Sequence, residues 1–119
     1  MLKGYAAPEV GATYRRAREL CQQLGDTSQL FPVLLGLRLF YLMRGELQTA
    51  RELGEQLLRL AQPQHDPALL LMAHYGLGSS LAYLGELSQA REHFAEGLAL
   101  YNPQQHQALA FSVTDLTLE

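Results

Sequence analysis

Four histidines, one cysteine and two adjacent serines have the widest chemical range in this 119-residue chain: His65, His74, His93 and His106, Cys21, and Ser79 with Ser80. A zinc site needs three or four converging ligands, commonly with two of them one helical turn apart. No two of these histidines stand at i, i+3 or i, i+4. His65 and His106 fall in turns, and His74 and His93 fall on different helices, so solvated or packing histidines are the simpler reading. Nucleophilic catalysis needs a serine, threonine or cysteine within reach of a base. Ser79-Ser80 lies in an apolar run, where small packing residues explain it. Cys21 shares a helical stripe with Tyr14, Ala17 and Leu24, as a buried small hydrophobe does. Tyr5, Tyr14, Tyr41, Tyr75, Tyr83 and Tyr101 are scattered and form no box. There is no phosphate-binding Gly-Lys-Ser/Thr loop and no set of spaced metal carboxylates. No catalytic residue, metal ligand or cofactor site follows from the sequence, and an enzyme is the weakest functional reading.

The elements that must position these residues are helices. Leu and Ala dominate the apolar class, while Val10, Val33 and Val113 are the only valines and Ile is absent. The net charge is −3, and the densest basic spot, Arg15, Arg16 and Arg18, is interrupted by Glu19, which argues against nucleic acid. A single cysteine forms no internal disulfide, so a reducing, cytoplasmic setting is expected. No signal peptide opens the chain, and the most apolar run, Leu30 to Met43, is too short for a bilayer and contains Arg38, so no membrane role is expected.

The chain repeats itself. Gly45-Glu46-Leu47-Gln48-Thr49-Ala50-Arg51-Glu52 returns 40 residues later as Gly85-Glu86-Leu87-Ser88-Gln89-Ala90-Arg91-Glu92. The same shift places Gly36-Leu37 on Gly76-Leu77, Leu58 on Leu98, Leu60 on Leu100 and Pro63 on Pro103, and more faintly Val10 on Ala50 and Leu20 on Leu60. A fixed period of this size marks stacked supersecondary units.

Each unit reads as two helices. Asp66 and Pro67 open a helix to Leu84, Gly85 breaks it in the left-handed role, and a second helix runs to about Tyr101 before Asn102-Pro103. Leu87, Ala90, Phe94 and Leu98, with Gly97, form its apolar face. The earlier unit has Thr27 or Ser28 as cap, helices over Leu30–Arg44 and Leu47–Ala61, Gly45 at the turn and Pro63 at the end. Pro8 to Leu24, closed by Gly25, reads as an orphan second helix, and Gln105 to about Thr114 as the first helix of a truncated repeat. The expected organisation is 8–25, 27–62, 66–102 and 104–115, a slice of a longer solenoid. The run Leu30–Met43 is apolar nearly all round, so either it is buried on both faces or the chain self-associates through it. His93 takes the place of Leu53, which suits a half-buried neutral ring. The doubled Arg-Glu reads as a solvated face, with Arg91 paired to Glu55 or Glu96.

Leu77-Gly78, Leu81, Gly85, Leu87, Ala90, Phe94, Gly97 and Pro103 sit at or next to the signature spacings of a tetratricopeptide repeat, which the second unit resembles. Gly78, Ala90 and Gly97 are small where two antiparallel helices cross, and Phe94 fills the adjoining gap. The first unit departs from the pattern: Arg38 stands at the place of Gly78 and Leu57 at that of Gly97, so its helices are expected to splay or shift. The period of 40 also exceeds the family's usual length of about 34 residues. Over residues 3–111 the strings "RARELCQQLGD", "RGELQTARELGEQLLRLA" and "YLGELSQAREHFAEGLALYNPQQHQALAF" resemble the helical-repeat region of large bacterial signalling ATPases of the AAA/STAND type, often fused to nucleotide-cyclase or kinase domains.

The resemblance implies an all-α fold, an α-solenoid of antiparallel helix pairs. It also implies a concave groove lined by the first helix of each unit. By position that groove comprises Leu35, Leu39, Leu42 and Met43, then Met72, Tyr75, Ser79, Ala82 and Tyr83. The function it implies is protein–protein interaction. A protein or peptide would be the partner, or neighbouring repeats of a parent protein would cover the same residues. A small-molecule sensor using the groove and a purely structural spacer are the rival readings.

Overall fold

A computed structural model describes residues 7–101, and over these the chain is all-helical, with no strand. Five α-helices follow one another: α1 (Pro8–Leu24), α2 (Thr27–Met43), α3 (Leu47–Ala61), α4 (Pro67–Tyr83) and α5 (Leu87–Ala99), with a 3-10 turn at Gln62–Gln64. The expected helix over 104–115, and His106 with it, lies outside the described residues.

Three of the turns share one chemistry. Gly25, Gly45 and Gly85 have φ of 68°, 78° and 84°, the left-handed region in which a side chain is strained. In each, the amide of the residue after the glycine donates back across the turn: Asp26 to Cys21, Glu46 to Tyr41 and Glu86 to Leu81, all at 2.9 Å. The fourth connection, between α3 and α4, is built differently: Pro63 lies inside the 3-10 turn, and His65 takes the left-handed position. Two helix starts, those of α2 and α4, rest on aspartates. Asp66 accepts from the Ala68 amide at 2.9 Å, as expected. The cap of α2 is Asp26 rather than Thr27 or Ser28. Its carboxylate takes the Gln29 amide at 3.2 Å and the Ser28 hydroxyl at 2.8 Å, so the helix begins three residues before Leu30.

Consecutive helices pack on one another, and α2 also touches α4 directly. Glycines set several crossings. The Phe40 ring of α2 lies where a Cβ on Gly11 of α1 would be, and the Tyr14 ring of α1 lies where a Cβ on Gly36 of α2 would be. At the α4–α5 crossing the Phe94 ring covers Gly78, Gly97 faces Leu71 and His74, and Ala90 is buried with Leu77 and Leu81. The α2–α3 pair has no such glycine; Leu34 and Leu37 with Leu53 and Leu57 form its core. The expectation that Arg38 splays this pair supposed that it faces α3, whereas its guanidinium reaches α4.

Helix α2 is buried on both sides. Of Leu30–Met43 only Pro32 is exposed, because α1, α3 and α4 all pack on it. The apolar face expected of α5 is only partly buried. Ala90 and Gly97 are buried, but Leu87 is 65% and Leu98 72% exposed. Leu58, one period earlier than Leu98, packs on Leu77 and Leu81 of the next hairpin. No described helix follows α5 to do the same for Leu98. Leu24, placed on the Cys21 stripe, is likewise exposed, while Cys21 and Tyr14 pack on the core.

Candidate interaction face

Helices α2 and α4 supply the residues read as a groove. Leu35, Leu39, Met43, Met72, Ser79 and Ala82 are half-buried, while Tyr75 and Tyr83 are about two-thirds exposed at 63% and 64%. Leu42 is buried, so it serves the core rather than a surface. Leu35 and Met72 pack their inner sides on the main core, and Ala82 packs on the Leu77 cluster. Tyr75 leans towards Phe94 of α5 at 5.9 Å between ring centres.

The two halves are joined by Arg38, a residue outside the predicted set. Its Nη1 donates to the Ser79 hydroxyl at 3.1 Å and the Ser80 hydroxyl at 3.2 Å. Both hydroxyls in turn donate to the Gly76 carbonyl, each at 3.1 Å. The serines therefore do more than fill space: they relay the charge of Arg38 onto the α4 backbone. Gly76 eases the approach, since a Cβ there would lie a tight 3.3 Å from the Arg38 Nε. Burial lowers the affinity of this guanidinium for its proton, with the nearby Tyr75 phenol opposing. The signal in the sequence was an arginine inside an apolar run, but its partners lie 41 and 42 residues away.

The histidines pair across the α4–α5 hairpin. His74 and His93 bring their Nδ1 atoms to 3.1 Å, so one ring donates and the other accepts. Glu96 stands 3.6 Å from the other nitrogen of His74. Burial lowers the His74 pKa from 6.5, Glu96 raises it and His93 lowers it further. Because the folded value lies below the unfolded one, the unfolded chain takes up the proton first as pH falls. The stability linked to His74 is therefore full above pH 6.5 and is lost as pH falls through the lowered value. Urea melts between about pH 7.5 and 5.5 are expected to show a falling midpoint, and His74→Gln to flatten that slope.

Among the described residues no group of three or more His, Cys, Asp or Glu is placed to hold a metal ion. No described helix is long and apolar enough to cross a membrane. Arg91 pairs with neither expected glutamate, because Glu55 meets Arg51 at 3.8 Å and Glu96 meets His74. An open depression of about 290 Å³ lies elsewhere, lined by Pro8, Arg15, Phe40, Tyr41, Arg44 and Glu46, and it shares no residue with the predicted groove. Its cations are engaged: Arg15 donates to the Tyr41 hydroxyl at 3.2 Å, and Arg44 meets Glu46 at 3.1 Å.

No protein family, curated protein or solved structure matches the chain.

Proposed function

We propose that the chain is a tetratricopeptide-like α-solenoid segment of a cytoplasmic bacterial signalling protein, and that it binds a protein or peptide partner along the α2–α4 face. The observation that carries this reading is the Arg38–Ser79 hydrogen bond, which joins the first helices of two units across 41 residues of sequence. The contact lets α2 and α4, the first helices of two units in the 40-residue reading, offer one surface. That surface suits an extended or helical segment: half-buried Leu35, Leu39 and Met72 supply apolar floor, and exposed Tyr75 supplies a rigid aromatic edge. Partner binding would pass to an ATPase or cyclase of the parent protein by a change in the stacking of the hairpins.

Selection from a random peptide library on the whole chain tests the reading. Binders are expected, and Tyr75→Ala is expected to weaken them about tenfold or more, as loss of an aromatic anchor does. Binders indifferent to Tyr75, or none at all, would contradict it and leave the spacer or small-molecule readings.

A further inference from the structure

Arg38 is the one arginine among the described residues that is buried, at 8% exposure, and no carboxylate of a described residue lies within ion-pair distance of it. Its Nε is fully enclosed without a hydrogen-bond partner, and Nη1 is shared by two neutral hydroxyls. Nη2 makes no hydrogen bond to a described residue, and the residue keeps 8% exposure. A buried cation without an anion is costly, and a hydrophobic side chain of similar volume commonly serves stability as well or better. The site is nonetheless built around the charge: Gly76 leaves room for the stem, and Ser79 and Ser80 both hold Nη1 at one end of the guanidinium.

We propose that Arg38 is the anchor for a carboxylate of an acidic partner segment, an aspartate or glutamate side chain taken by the outward edge of the guanidinium. Tyr75 flanks the site, and the apolar residues of the segment lie on Leu35, Leu39 and Met72. This rests on the reading of α2–α4 as a docking face. Arginine presents a planar edge that suits a carboxylate, and a pair shielded from water is stronger than one at the surface. The net charge of −3 gives an acidic partner no long-range attraction, so recognition comes from this local pair.

The test uses peptides selected on the whole chain, each compared with its counterpart carrying Asn for Asp and Gln for Glu. The carboxylate form is expected to bind about tenfold or more tightly to the natural chain. That preference is expected to vanish in Arg38→Met while helicity is kept. The Arg38 Nε–H resonance, followed by NMR, is expected to move with the carboxylate peptide and to stay in place with sodium acetate at equal concentration. Equal binding of both peptide forms to the natural chain overturns the anchor and leaves the docking face standing. This comparison decides even if Arg38→Met fails to fold. Acetate acting as strongly as the peptide overturns the acidic segment in favour of a free small anion. A library that returns no binder overturns the docking face and the anchor together.

Discussion

Gly54→Val is expected to destabilise the chain by about 3 kcal/mol, lowering the thermal midpoint by about 10 °C or more. A Cβ at residue 54 would lie 2.9 Å from the Leu77 Cα, and the obstacle is backbone. A side chain could swing aside, but a helix must move as a body. Moving α4 off α3 also strains the Arg38–Ser79 and Arg38–Ser80 bonds, because α4 carries both serines. Alanine isolates the overlap from bulk: its better helix propensity returns about 1 kcal/mol, and a net loss is still expected. Chemical denaturation of the valine and alanine variants checks this, and an alanine variant more stable than the natural chain would show that the two backbones do not approach so closely.

Phe40→Ala is expected to cost about 3–5 kcal/mol and to act mainly at one end of the molecule. Phe40 is 2% exposed, its ring lies on Gly11 of α1, and it meets the Tyr41 ring edge-on at 5.1 Å. Removing it leaves a cavity between α1 and α2 and takes away a main apolar contact that holds α1. In a linear stack each unit relies on its neighbours, so α1 should loosen before the rest. Hydrogen exchange is expected to speed up first along Pro8–Leu24, with α4 and α5 still protected. Uniform loss of protection along the chain would contradict a linear arrangement of contacts.

Much of the helical layout was legible because it rests on local chemistry. Gly25, Gly45 and Gly85 announce turns that require a left-handed residue, Asp66-Pro67 announces a helix start, and α3 begins and ends where the sequence places it. The start of α2 was misplaced because Asp26, Thr27 and Ser28 are all competent caps. Only the direction of the chain shows that Asp26 receives both the Ser28 hydroxyl and the Gln29 amide. Periodicity gave α5 an apolar stripe, but it could not show that Leu87 and Leu98 find no described helix to cover them.

The burial of the residues read as a groove followed their helical positions in most cases, and the polar contacts beside them did not follow from the sequence. Leu35, Leu39, Met72, Tyr75 and Ser79 fall on accessible sides of α2 and α4, whereas Leu42 turns inward. Arg38 looked like a misfit in a helix crossing, because helical spacing says nothing about residues 41 and 42 positions away. His74 and His93 failed the test for ligand spacing within one helix, and only the hairpin brings their rings together.

The central claim is that a partner docks on the first helices of two successive hairpins. Intermolecular NOEs between the whole chain and a library-selected peptide test it most directly. The account expects contacts from the peptide to the Tyr75 ring, the Met72 methyl and the Leu39 methyls in one complex. Contacts confined to Leu87 and Leu98 on α5, or to Pro8 and Arg15 around the open depression, would contradict it.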